Sequence, residues 1–194
     1  MATKHETRRK GIKARRELSH EARKEFSERI VQNIAASPLF ACSQNIMIYA
    51  AREEEVDLNS LTSIPESSSK RFFYPKVSDK EIIPLCPDNS EAWITGSFGI
   101  SEPDPLRSSS IEPDKLDLVI CPCTSFDENC SRIGMGGGYY DRFLPCCINA
   151  KVVAAAFECQ KAKDVPIEST DIKMEAVFTE KAIYTAKKVI VNNL

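Results

Sequence analysis

Apolar residues recur at every fourth position from Ala22 through Phe26 and Ile30 to Ile34. That spacing lays one stripe along a helix. Ser19 is suited to cap its start, Glu21 falls in the first turn, and Ser37 and Pro38 are expected to end it. The preceding residues 4–17 are polar, basic and rich in helix formers, which predicts an earlier helix. Beyond residue 44 the pattern turns from periodic to continuous. NIMIYAA (45–51), LDLVICPC (116–123) and AKVVAAAF (150–157) are short apolar runs, as strands covered on both faces have. KRFFYPKV (70–77), EIIPL (81–85) and EAVFTEKAIY (175–184) predict three more strands, the first two bounded by proline or polar turns. Asp57 is placed to cap a short helix, and GYYDRFL (138–144) predicts a helix start stopped by Pro145. Residues 86–115 are rich in Pro, Ser, Asp and Glu and lack periodicity. They are expected to be surface loops around a packing Trp93. Strands alternating with helices or long loops predict an α/β fold with a mostly parallel sheet covered on both faces, in a single domain over 1–194.

Composition narrows the function. Hydrophobic residues make up 42% and charged residues 28% of 194, ordinary for a globular chain. A net charge of -2 argues against a general polyanion binder, so no nucleic-acid partner is expected. No run approaches the ~18 apolar residues of a membrane span, and the N-terminus has no apolar core for a secretory signal. Its Arg-rich, acid-poor start leaves a transit peptide open, and a cytoplasmic monomer is the expectation. Eight cysteines without a signal predict reduced, inert thiols. Their C-x-C and C-C pairs do not suit zinc, and with only His5 and His20 present nothing suggests a Cys-His nucleophile.

The chemistry concentrates in RIGMGGGYYDRFL (132–144). Four of the seven glycines, Gly134, Gly136, Gly137 and Gly138, fall within five positions there. Bare backbone lets N–H groups approach a ligand, and such a run leading into a helix suits a phosphate, with Arg132 and Arg142 to add charge-assisted bonds. A plain turn or hinge has the same composition. The loop is not a Walker A loop, because no lysine follows the glycines. It is not a Rossmann loop either, because position 139 is Tyr and TSFDENCSRI separates the glycines from the strand.

SRIGMGGGYYDRFL closely resembles the signature of the 5-formyltetrahydrofolate cyclo-ligase family, also called 5,10-methenyltetrahydrofolate synthetases. Lys4 and Arg8, YAAREEEVDL, RFFYPKV, GSFGISEP, DLVICPCTSFDENCSRIG and VPIESTDIKMEAVFTE resemble further family segments, in family order, with no departure at a position the family uses for catalysis. The resemblance implies a three-layer α/β/α fold with a mainly parallel sheet, similar to the ribose-5-phosphate isomerase and CoA-transferase group. It implies small-molecule substrates, ATP and 5-formyltetrahydrofolate, with Mg2+, and transfer of the γ-phosphoryl group to the formyl oxygen before nitrogen 10 closes the ring. Arg132, Ile133, Gly134, Met135, Gly136, Gly137, Gly138, Tyr139 and Tyr140 would form the ATP loop, with Lys4 and Arg8 reaching the nucleotide. Met135 to Tyr139 would also touch the folate, whose pocket Glu55 and Ala50 complete. Asp141 and Asp171 would hold the metal, and Arg132, Tyr139 and Asp141 are the implied catalytic set.

By themselves these residues have plainer readings. Asp141 suits a helix start and Asp171 a turn. Glu55 lies in a run of three glutamates that would ordinarily be solvated, and Lys4, Arg8 and Arg15 share a helix face open to solvent or nucleic acid. Two rival functions remain. A nucleotide-binding oxidoreductase would need an acid about 20 residues on, where only Glu158 is available. An RNA-binding module led by the basic helix would need aromatics and further basic clusters, but the rest of the chain is net acidic.

Overall fold

The computed structural model describes residues 2–96, 99–186 and 188–191, so Ser97 and Phe98 of GSFGISEP lie outside the described residues. Helix α1 (Lys4–Arg16) begins with a reciprocal cap. Thr3 Oγ1 accepts from the Glu6 amide at 3.2 Å, and Glu6 Oε2 accepts from the Thr3 amide at 2.8 Å. Helix α2 (His20–Ala35) is capped by Ser19 as expected, and its Ile30, Val31 and Ile34 are buried. Ser37 and Pro38 do more than stop it: Ser37 caps a further short helix, α3 (Pro38–Ala41), with proline at the position where no amide is needed.

The strands follow: β1 (Asn45–Met47), β2 (Arg71–Ser78), β3 (Glu81–Pro87), β4 (Trp93–Thr95), β5 (Ser101–Pro103), β6 (Ser108–Ser110), β7 (Leu118–Pro122), β8 (Ser125–Phe126) and β9 (Arg132–Ile133). After α4 (Tyr139–Phe143) come β10 (Lys151–Ala155), β11 (Ala176–Phe178), β12 (Ala182–Thr185) and β13 (Lys188–Val191). Nine of these form one sheet in the order β13-β12-β11-β10-β7-β1-β2-β3-β6. Its centre, β11-β10-β7-β1-β2, is parallel, and the flanking strands are antiparallel. One face packs Ile46, Ile48, Leu118, Ile120 and Val153 under α2 and α3. The other packs Met47, Val119, Cys121 and Ala154 against Phe143, Leu144 and Cys147 from α4 and the turn after it. This is the three-layer arrangement expected, with the central strands apolar throughout because both faces are covered. No helix among the described residues is long and apolar enough to cross a membrane.

Three expectations need correction. The run 45–51 pairs only to Met47; Ile48 still donates to Phe73 O at 2.9 Å, and the chain then leaves the sheet. Residues 175–184 are two strands, because Thr179 Oγ1 accepts from the Lys181 and Ala182 amides and turns the chain back. The stretch 86–115 holds β4, β5 and β6, strands of three residues each and too short to show a period, with Trp93 edge-on to Tyr74 at 4.8 Å. The bounds expected of β2 and β3 hold, with a polar turn between Ser78 and Glu81 and Pro87 at the end of β3, and two further prolines lie inside the strands, Pro75 opposite Pro84.

One contact positions the N-terminal helix. Ser125 Oγ donates to Thr7 O at 3.0 Å, and a Cβ on Gly11 would run into the carbonyl oxygen of Thr124. Backbone cannot yield as a side chain tip can. Gly11→Ala should therefore lower unfolding stability by about 1–3 kcal/mol through overpacking, outweighing the ~1 kcal/mol that alanine adds in a helix interior. A urea midpoint raised by the substitution would mean that α1 is not held by this contact.

Candidate functional site

The strand order reverses direction between β1 and β7: β2 lies to one side of β1, while β7, β10 and β11 extend to the other. Crevices outside the carboxyl ends of strands at such a reversal are where open α/β sheets bind ligands. A cleft of about 910 Å3 opens there. Tyr49 and Ala50 follow β1 into it, and Pro122, Cys123 and Thr124 follow β7. Every residue singled out from the sequence lines this cleft: Lys4, Arg8, Ala50, Glu55, the loop from Arg132 to Tyr140, Asp141 and Asp171. A smaller cavity of about 430 Å3 shares Arg52 and Glu55 with it.

The glycine loop runs from β9 to α4. Gly136 has φ 100° and Gly138 φ 66°, a backbone that side chains with a Cβ rarely adopt. Gly138 hands the chain directly to Tyr139 and α4. Arg142 closes the loop from behind, donating to Gly137 O at 3.0 Å and to Lys80 O, with its guanidinium over the Tyr139 ring. Arg8 closes it from α1: Nε donates to Gly134 O at 2.8 Å, and its guanidinium lies against the Cα of Gly136. The loop is thus anchored from both sides by arginines.

Charge is arranged in pairs. Arg132, with 3% of its side chain exposed, donates to Asp141 Oδ1 at 2.9 Å. Its Nε is buried with no hydrogen-bond partner, as is the Tyr140 hydroxyl under it. Lys4 Nζ meets Asp171 Oδ2 at 2.6 Å and Oδ1 at 2.9 Å, with Glu168 at 3.3 Å. Burial works against both charges, but the hydrogen bonds between them win: Asp171 is held below the usual carboxylate range and Lys4 above the usual lysine range. The aspartate's stabilisation is present above the ordinary carboxyl range and lost as pH falls through its lowered value. The lysine's is present below the ordinary ammonium range and lost as pH rises through its raised value. The pair is intact around neutrality. Arg132 also lowers the Asp171 value, so both aspartates share its field.

Asp141 and Asp171 are two of the carboxylates lining the cleft, with Glu55, Glu102 and Glu168. Among the described residues no three His, Cys, Asp or Glu side chains gather into an all-protein cage. Two carboxylates, with phosphate oxygens and waters completing the shell, is the set Mg2+ takes beside a nucleotide, so the donors fit. Asp171 also accepts the Glu168 amide at 2.6 Å, so its reading as a turn residue and its place in the cleft are both correct.

The sequence reading missed Arg15. On α1 it falls near the face of Lys4 and Arg8, which suggested a solvated or nucleic-acid-binding surface. Its side chain is 1% exposed. Nη1 reaches Glu55 Oε1 at 3.3 Å and Cys123 O at 3.5 Å, and Nη2 reaches Glu54 at 3.5 Å. The other Glu55 oxygen accepts the Arg52 amide at 3.1 Å. The run of three glutamates is therefore divided: Glu53 is 82% exposed, while Glu55 is 10% exposed. The signal available was Gly11, one turn before Arg15, which marks a helix face pressed on backbone. The cysteines are free, as expected, and burial pushes the thiols of Cys121 and Cys123 up to about 12.

Residues 1–180 match the model of the 5-formyltetrahydrofolate cyclo-ligase family. The chain is 26% identical over 175 residues to 5-formyltetrahydrofolate cyclo-ligase of Escherichia coli K12, covering 88% of this chain and 96% of that one. It is 27% identical over 182 residues to the protein of that name in Mus musculus, covering 85% and 87%. The solution structure of 5,10-methenyltetrahydrofolate synthetase from Aquifex aeolicus superposes with a TM-score of 0.83 at 31% identity, covering 98% of this chain and 95% of that one.

Removing Arg15 leaves Glu55 and Glu54 without their buried partner. Arg15→Met should lower stability by about 3 kcal/mol, the scale of a broken buried pair, and adding Glu55→Gln should recover part of that loss. Urea unfolding of the single and double variants decides it. Equal midpoints for Arg15→Met and the parent would show that the arginine does not support Glu55.

Proposed function

Because the chain belongs to the 5-formyltetrahydrofolate cyclo-ligase family, we propose that its cleft converts 5-formyltetrahydrofolate to 5,10-methenyltetrahydrofolate at the expense of ATP, yielding ADP and phosphate. A formamide carbonyl is a weak electrophile and its oxygen a poor leaving group. Transfer of the γ-phosphoryl group to that oxygen makes it a good one. Nitrogen 10 then attacks the formyl carbon, the five-membered ring closes, the oxygen departs with phosphate, and the proton of nitrogen 10 passes to water or to the departing phosphate.

The observation that carries the reading is the glycine loop with arginines on both sides. Its backbone amides from Gly134 to Gly138 would take phosphate oxygens, as nests of amides do. Arg132, Arg8 and Lys4 would neutralise the charge that builds during transfer, which is most of what phosphoryl transfer asks of a protein. The attacking carbonyl oxygen carries no proton, so no strong base is needed for the phosphoryl transfer. Burial agrees: it holds the Tyr49 and Tyr140 hydroxyls well above their ordinary values and the Cys123 thiol at about 12, so none of the three is ionised near neutrality. Met135 to Tyr139, Ala50 and Glu55 would line the folate side.

Asp141 and Asp171 would hold Mg2+. When bound, the ion would screen the phosphates and draw charge from the leaving oxygens. Lys4 now sits on Asp171 and Arg132 on Asp141, so binding the metal-nucleotide requires both cations to turn toward phosphate. Of the three α1 cations that suggested a nucleic-acid surface, Lys4 and Arg8 line the cleft and Arg15 is buried against Glu55. That supports small-molecule substrates. Charged, water-soluble substrates support a cytoplasmic site of action.

Mixing the protein with ATP, Mg2+ and 5-formyltetrahydrofolate should generate the methenyl product's absorbance; none at any substrate concentration would end this reading. Asp141→Asn and Asp171→Asn should each lower kcat by roughly two orders of magnitude, the scale of one lost transition-state contact, and excess Mg2+ should restore part of it. Parent rates in limiting Mg2+ from either folded variant would remove that aspartate from the metal site.

A further inference from the structure

One of the matching stretches, GSFGISEP, has been given no role, yet it ends on the cleft wall. Glu102 is 4% exposed and lines the cleft beside Pro75, Val77, Ile82 and Ile100, an otherwise apolar slab. Lys76 Nζ donates to Glu102 Oε2 at 2.6 Å. Gly96 lies flat on the carboxyl group, where any Cβ would collide with it. The β4–β5 hairpin fixes the residue: Glu102 is paired with Ile94, and the Gly96 amide donates to Ile100 O at 2.8 Å. Among the described residues no protein donor reaches Oε1, and that oxygen is not sealed off. A buried ion pair is poor evidence of a need for stability, since apolar residues of like volume hold a fold equally well. A carboxylate held rigidly in an apolar slot, with one oxygen unused, is instead a recognition device for a flat ring with N–H donors on its edge.

We infer that Glu102 is the specificity-determining residue for the pteridine ring of the folate, accepting hydrogen bonds from its 2-amino group and the neighbouring ring N–H, with Lys76 as its positioning residue. The inference rests on the proposed function. A pteridine of this kind presents two donors side by side, which one carboxylate satisfies. The amino edge of adenine presents a donor beside an acceptor, which a carboxylate matches only half. The nucleotide is also accounted for elsewhere, by the glycine loop and the cations of α1. The apolar slab would cover the ring face, and the carboxylate would set its orientation, so that nitrogen 5 and its formyl group point toward the loop.

The test is kinetic, with 5-formyltetrahydrofolate and its 2-desamino analogue. The parent should discriminate against the analogue by roughly tenfold to a hundredfold in kcat/KM, the range for a site left with an unpaired buried acceptor. Glu102→Gln should raise KM for 5-formyltetrahydrofolate by a similar factor, leave KM for ATP within about threefold, and lose most of the discrimination. A residue that only supports the fold would weaken both folates equally, and that outcome would overturn the inference, as would an unchanged folate KM. A parent enzyme that forms no methenyl product would instead sink the function on which the inference stands. If Glu102→Gln fails to bind ATP in a calorimetric titration because Lys76 is left unpaired, the same ratio is read on Lys76→Met with Glu102→Met. That pair keeps the wall apolar and should likewise lose the discrimination; retained discrimination there would overturn the inference.

Discussion

The site depends on the contact of one helix with backbone. Helix α1 lies so close to the chain at Thr124 that only glycine is accommodated at position 11. This approach seals the inward face of α1 against the loop after β7. The consequence is carried along the helix: Lys4 and Arg8 line the cleft, and Arg15, three turns on from Lys4, is buried against Glu55, which lines it too. An N-terminal segment that composition marks as a basic, solvated helix is in fact one wall of the site.

That wall closes an electrostatic account. Lys4 is matched to Asp171, Arg132 to Asp141, and Arg15 to Glu55 and Glu54, while Arg8 is held by a carbonyl of the glycine loop. Buried cations waiting for phosphate would repel one another and lose hydration without compensation. Pairing each with a carboxylate or carbonyl removes that cost in the free protein. Under the proposed function a nucleotide would enter by exchange of partners; Arg132 Nε and the hydroxyl of Tyr140, whose ring lies under that guanidinium, are buried with no hydrogen-bond partner.

The sheet explains why these groups meet. Reversal of strand order at β1 and β7 leaves a gap above their carboxyl ends, because the connections leaving those strands diverge. Residues 49–55 leave β1 on one side, and residues 122–126 leave β7 on the other. The β8–β9 hairpin then returns the chain so that Arg132 and the glycines cross the gap. The β4–β5 hairpin closes the remaining side with Glu102.

Much of this was legible in the chain. The i, i+4 stripe of α2, its Ser19 cap, and the buried runs of β7 and β10 are local patterns whose cause is burial on one or both faces, so periodicity reports them directly. The glycine loop was equally plain, since positive φ at Gly136 and Gly138 is a backbone demand that only residue type can meet. The resemblance of SRIGMGGGYYDRFL and its companions named the residues of the cleft, from Lys4 to Asp171. The strands β4, β5 and β6 were missed, because three residues each are too few to show a period. The pairing of Arg15 with Glu55 and of Lys76 with Glu102 was also out of reach. Charge and spacing along a helix or strand do not say whether water or another segment covers it. That was decided only when Gly11 let α1 settle on Thr124 and when β5 brought Glu102 to Lys76 of β2, two contacts that depend on where distant backbone comes to lie.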